Sequence, residues 1–243
     1  MFSIYNSSIV SLGSNTSTFD ASRFTNISQL QRINYNSATK AISYAPFTFA
    51  HSKVVDISNL TWNGTGASLF EYCIYLTSVS GTLNLTTSMY RLFYMCSALT
   101  TLPTINIANS VTSAAWAFCS TSGLTYSVIE DVISRCLYVN DFSYVCFGTK
   151  FDDDTTINLA NLFDRNVATN VNLSGAFCYG GYGTGVPSVI NNLIISGRIS
   201  SRVKNTTRMF AGVRTLTCPY DILAGATSLT TTSAMFVSCS IIF

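Results

Sequence analysis

Eight cysteines, one histidine and a run of three aspartates are the residues in this 243-residue chain whose types could do chemistry. Cys73, Cys96 and Cys119 fall at equal intervals along the chain. If that interval is one coil of a stacked repeat, the three would share a column about 5 Å per step, within reach of a disulfide. Other copies of the same frame put Ile27, Ala50 and Val213 at this position. A site that accepts Ile and Val is an apolar core site, where free Cys behaves as a small hydrophobe. Buried free thiols are therefore expected rather than bridges. The absence of any Cys-x-x-Cys pair removes the spacing of a zinc site, and no metal or cofactor is expected.

His51 is the single histidine, so a Ser-His-Asp or Cys-His arrangement would have to use it. It follows Ala50 at the core column and is expected to be a partly exposed turn residue. Asp152, Asp153 and Asp154 could offer oxygens to Ca²⁺, but the alternating acidic spacing and fixed Gly of an EF-hand loop are missing, and a solvated turn is expected. Glu130 and Asp131 are the other acidic pair that a hydrolase could use. Gly180-Gly181-Tyr182-Gly183-Thr184-Gly185 has no following Lys-Ser/Thr and so is not a phosphate loop. It is expected to be a loop between coils, with Tyr179 and Tyr182 as contact residues, since Tyr gives area at low entropy cost. No catalytic residue is assigned, and the chain is expected not to be an enzyme.

The elements that position these residues follow from the beat itself. Phe24, Phe47, Phe70, Phe93 and Trp116 stand at the same constant interval as the cysteines, and a fixed period in this range marks a solenoid. Leu69-Phe70-Glu71-Tyr72-Cys73-Ile74-Tyr75-Leu76-Thr77-Ser78-Val79 and Leu92-Phe93-Tyr94-Met95-Cys96-Ser97-Ala98-Leu99-Thr100-Thr101-Leu102 share one plan. Its apolar residues at 0, +3 and +6 suit a short helix or tight turn, and its end alternates like a strand. The fold class is thus an α/β repeat solenoid with short parallel strands, short helices or turns, and about 23–26 residues per coil. Phe142, Phe163 and Phe177 are read as further anchors at irregular spacing. Ser127–Leu137 has helical spacing, with Ser127 as N-cap, and is read as a helix inserted between coils. The organisation is a regular solenoid over 1–126, irregular repeats over 127–208, and terminal repeats over 209–243 that stop in mid-coil.

The pattern M-F-x-x-C-S-x-L-T-x-L, carried by residues 92–102 and by Met235-Phe236-Val237-Ser238-Cys239-Ser240, resembles the leucine-rich-repeat variant of BspA-type surface proteins. That family includes adhesion proteins and related phage tail proteins. The resemblance implies a leucine-rich-repeat-like solenoid used for adhesion or protein binding, with no catalytic residues to carry over.

Composition narrows the partners. The net charge is +2, charged residues are 10% of the chain and the 13 Lys and Arg are scattered, so nucleic-acid binding is excluded as an expectation. No apolar run is long enough to span a bilayer, and Met1–Asn6 carries no signal-peptide character. Two readings follow. In one, Thr77, Ser78, Thr100 and Thr101 line a sheet face that binds a protein or glycan. In the other, the chain is a structural virion or surface component whose solenoid ends dock onto other chains of an assembly, because uncapped ends expose apolar faces and strand edges. Either places it at a virion or extracellular surface.

Overall fold

The computed structural model describes residues 49–51, 54–149, 151–152, 154–179 and 192–243, with the strand backbones at 2–3, 19–20, 32–34 and 42–43. Phe24, Phe47, Ile27, Asp153, Tyr182 and the glycine-rich segment lie outside the described residues. The strands are β1 (Phe2–Ser3), β2 (Phe19–Asp20), β3 (Arg32–Asn34), β4 (Ile42–Ser43), β5 (Asp56–Gly64), β6 (Ser78–Leu85) and β7 (Thr104–Ile107), then β8 (Thr155–Asn158), β9 (Val171–Asn172), β10 (Asn192–Ser196), β11 (Val203–Asn205), β12 (Thr215–Thr217) and β13 (Ser240–Ile242). Helices α1 (Tyr126–Ser134) and α2 (Leu159–Phe163) flank β8. All strand pairings among these are parallel. One wall of the solenoid is the sheet β3-β5-β6-β7, with β4 also on β5; another is β8-β10-β12-β13. The chain is an LRR-like repeat solenoid with little helix.

Between its strands each coil carries a ribbon of overlapping turns. Leu69 N–H donates to Gly66 O (3.2 Å) and Cys73 N–H to Phe70 O (3.1 Å) within the coil. Alternate residues reach the next coil: Gly66, Ser68, Phe70 and Tyr72 donate to the carbonyls of Ser88, Tyr90, Leu92 and Tyr94 at 2.7–3.0 Å. Such a ribbon needs left-handed φ at fixed places, as a type II turn does. They are Ser68 and Tyr72, Arg91 and Met95, Trp116 and Ser120, Tyr144 and Gly148, Arg208 and Gly212, Ala234 and Ser238. The two alternatives of helix and tight turn are thus resolved to turns in these coils.

The hydrogen-bond register defines columns. The central one is Phe49, Phe70, Phe93, Phe118, Cys146, Phe177, Phe210 and Phe236. Its intervals lengthen at every step as far as Phe210 and shorten again at Phe236. Rings stack down it, Phe49 on Phe70 at 5.2 Å and Phe70 on Phe93 at 5.0 Å. Phe118 therefore takes the place expected for Trp116, and Cys146 the place expected for Phe142. Phe142 sits four positions earlier, below Ala114, with Phe163 edge-on against it at 5.3 Å. The expected beat holds for the step from Phe70 to Phe93. The step before it is shorter, and the steps from Phe118 to Phe210 are longer than the expected coil.

What stays constant is a short block, seen at 65–73. Five positions before the column residues from Phe70 to Phe210 stands a short polar side chain that accepts from the backbone N–H two positions on. Thr65 Oγ1 takes Ala67 N–H (3.1 Å), Ser88 takes Tyr90, Ser113 takes Ala115, Asp141 takes Ser143, Asn172 takes Ser174 and Asn205 takes Thr207. These Asx and ST turns start the ribbons. The return arc is free to vary because lengthening a loop costs little. In the coil 118–146 that arc contains α1, which replaces the strand rather than lying between coils. Its N-cap is Thr125, and Ser127 sits in the first turn with its hydroxyl 3.1 Å from Thr125 Oγ1.

Candidate functional site

The register also moves Cys119. Cys73 and Cys96 align with Thr121, Thr149, Val213 and Cys239, whereas Cys119 aligns with Ala50, Glu71, Tyr94, Phe147, Cys178, Ala211 and Val237. These neighbouring columns face opposite sides of the ribbon. The first points into the main core. The second supports a separate cluster of Cys119, Phe147, Cys178 and Ala211, roofed by Tyr94, Trp116 and Tyr144.

That roof belongs to an aromatic ridge running across coils. His51 stacks on Tyr72 (4.8 Å), Tyr72 meets Tyr94 edge-on (5.2 Å), Tyr94 meets Trp116 edge-on (5.9 Å), and Trp116 stacks on Tyr144 (4.3 Å). The guanidinium of Arg91 lies over the rings of Tyr90 and Tyr94, 5.1 and 5.0 Å from their centroids, a cation–π geometry. Arg91 Nη1 also donates to Glu71 Oε1 at 3.0 Å, and Glu71 is buried. Burial, and then a hydrogen bond with Tyr72, push the Tyr94 phenol above its ordinary range. Tyr72, Tyr75 and Tyr90 remain exposed. On this turn ribbon Ser68, Leu69, Phe70 and Glu71 are buried in succession and Tyr72 is exposed, so strand alternation does not reveal the ridge. His51 is part of it and has φ +57°, as the turn expectation required.

The sheet side holds the other candidates. Thr77 and Thr100 are exposed, and their hydroxyls donate to the preceding coil: Thr77 Oγ1 to Val55 O (2.8 Å) and Thr100 Oγ1 to Thr77 O (3.0 Å). Ser78 Oγ bonds Asp56 Oδ1, and Thr101 pairs with Ser78 in an isolated parallel bridge. Tyr179 packs partly buried against the main core. A motif with strand period lies beside them: Thr61-Trp62-Asn63, Thr82-Leu83-Asn84 and Thr104-Ile105-Asn106 stand in register. Trp62, Leu83 and Ile105 are buried, and the flanking Thr and Asn face outward. Asn84 Nδ2 donates to Asn63 Oδ1 (2.6 Å) and Asn106 Nδ2 to Asn84 Oδ1 (2.7 Å).

All eight thiols are free. Burial pushes Cys136 and Cys119 up to about 12 and Cys178 to about 11, and raises Cys96 and Cys146 as well. Thiols held in the neutral form are poor nucleophiles and poor metal ligands. Among the described residues no group of three His, Cys, Asp or Glu side chains could hold a metal ion. Asp131 pairs with Arg135 at 2.8 Å, and partial burial raises the Glu130 carboxyl. Asp131 and Arg135 also border an open groove of about 750 Å³ between β7 and α1, which includes Thr100, Thr101 and Thr104. No helix among the described residues is long and apolar enough to cross a membrane.

No curated protein and no solved structure matches this chain. The sequence profile of the BspA type leucine-rich repeat region, in six copies, matches residues 1–131. With more than half of the chain matched and the coils stacked as above, the chain belongs to the BspA-type leucine-rich-repeat family.

Proposed function

We propose that the chain is a non-enzymatic recognition module that engages a protein partner through the ridge His51–Tyr72–Tyr94–Trp116–Tyr144. The observation that carries this is the composition and geometry of the ridge. Tyr, Trp and Arg are the residues that dominate protein-binding hot spots, and here they form a continuous row over several coils. Stacked on one another at His51–Tyr72 and Trp116–Tyr144, the rings spend their faces internally and offer edges and polar tips, which suits a protein surface better than a sugar ring. The proposed role is attachment, on a cell surface or as a tail or receptor-binding part of a virion. The family and the solenoid are of a kind that presents surfaces rather than catalytic clefts.

Binding of the purified chain to arrays of surface proteins and of glycans tests this. Tyr72→Ser is the informative variant, because Tyr72 is exposed and lies outside the satellite cluster. Protein binding weakened about tenfold or more, with the melting temperature kept, is expected. Undiminished binding in that variant would sink the assignment.

A further inference from the structure

A different wall of the same coils has the opposite chemistry. Between Ile57 and Ile129 the sequence contains two charged residues, Glu71 and Arg91, and these pair with each other. Beyond Asp56, which opens β5 and is bonded by Ser78, the outward face over residues 61–63, 82–84 and 104–106 is accordingly built from hydroxyls and amides. Thr61, Thr82 and Thr104 form one file and Asn63, Asn84 and Asn106 another, each repeating once per strand, about 4.8 Å. The ladder uses one N–H from Asn84 and one from Asn106. An amide has two N–H groups and two carbonyl lone pairs, so capacity for a ligand remains. Thr104 then borders the groove of about 750 Å³, whose far side is α1 with the Asp131–Arg135 pair. Arg135 Nη1 donates to Ile105 O, and Pro103 has no N–H, so the β7 edge does not invite a further strand.

We propose that the Thr and Asn files of β5–β7, together with the groove they run into, form a binding track for an uncharged polysaccharide. The Thr and Asn files carry no aromatic or Arg anchor and so do not resemble the core of a protein interface. The one cation bordering the groove, Arg135, is paired with Asp131, so the track offers no net positive charge to nucleic acid or an anionic glycan. A neutral polymer with its own repeat matches a surface that offers the same donor and acceptor set coil after coil, and weak contacts made in series add up through effective concentration. The paired carboxylate and guanidinium at the end of the groove can both engage hydroxyls.

The test is retention of the full chain on cellulose, chitin, starch and β-1,3-glucan, with heparin and polygalacturonate as anionic controls. The expected result is retention on at least one neutral polymer that is unchanged from about 0.05 to about 0.5 M salt. Thr82→Val with Thr104→Val keeps shape and strand propensity while removing two hydroxyls, and should weaken it about tenfold or more. Tyr72→Ser should bind the polymer like the parent, which separates this track from the ridge. The proposal is overturned by no retention on any neutral polymer, by retention on the anionic ones alone, by a double variant that binds normally, or by loss in Tyr72→Ser.

Discussion

Cys96 Sγ donates to the carbonyl oxygen of Phe70, one coil back, at 3.0 Å. Cys73 makes the same bond to Phe49 O (2.9 Å) and Cys239 to Phe210 O (2.9 Å), and Thr149 Oγ1 replaces the thiol in bonding Phe118 O (2.7 Å). The position therefore selects a small side chain with a hydrogen to give. Its purely apolar reading explained Val213 but not the exchange of Cys with Thr.

Cys96→Thr should consequently lie within about 0.5 kcal/mol of the parent, because Thr already does this job in another coil. Cys96→Ala loses both volume and donor. Phe70 O retains Cys73 N–H, so the total should be about 1–2 kcal/mol rather than the cost of an orphaned carbonyl. Urea denaturation of the two variants measures the contrast. Equal losses would remove the hydrogen bond from the explanation.

Legibility of the fold tracked the constancy of coil length. Phe70 and Phe93 were placed correctly from spacing because their coil happens to have the length of the assumed period. The next coil is longer by two positions, and an aromatic stands at both candidate places, so periodicity chose Trp116 over Phe118. The signal that separates them is local: Thr65, Ser88, Ser113, Asp141, Asn172 and Asn205 each stand five positions before a column residue. The same signal identifies Cys146, which no aromatic count could find. The ridge was illegible for another reason. In a turn ribbon with left-handed φ, adjacent residues such as Leu69 and Phe70 are both buried while Tyr72 is exposed, a spacing that the strand alternation does not describe.

Gly81 and Gly225 separate two costs that are usually confounded. Both have left-handed φ, +105° and +90°. A Cβ at Gly81 would stand 2.1 Å from Leu60 O, while at Gly225 nothing lies within 4 Å. Gly225→Ala should cost about 1 kcal/mol, the conformational term alone. Gly81→Ala should cost more than about 2 kcal/mol, because the backbone of β5 must move out of its ladder. Thermal melts of both variants are sufficient, and a Gly81→Ala loss no larger than that of Gly225→Ala would show that β5 yields freely.

Alkaline pH should unfold the chain through its thiols. In the unfolded state Cys ionises near about 8.5, whereas burial holds Cys136 and Cys119 at about 12 in the folded protein. A folded pKa raised above the unfolded one means full stability below about pH 8.5 and progressive loss from there towards about pH 12. Each such thiol contributes at most about 1.4 kcal/mol per pH unit. The urea midpoint should therefore fall steadily above about pH 9, and a thiol-specific disulfide reagent at about pH 8 should react with the buried thiols only after denaturant is added. A midpoint that stays flat to about pH 11 would contradict the burial of these groups.

The Glu71–Arg91 pair should be more costly to break than to replace. Glu71 is 4% exposed, and its Oε2 and Arg91 Nε are buried without a hydrogen-bond partner in the structure. Removing Arg91 leaves the buried Glu71 carboxylate without its cation, a penalty that can outweigh the net value of the pair. Arg91→Met alone should therefore destabilise by about 2–3 kcal/mol, the lower end of the buried range because the Arg91 side chain is 35% exposed. Glu71→Leu combined with Arg91→Met should recover most of that loss, since neither charge is then left buried without its partner. The two single variants and the double close a thermodynamic cycle in urea. A double variant as unstable as the sum of the singles would mean that each side chain is held by its own surroundings and not by the other.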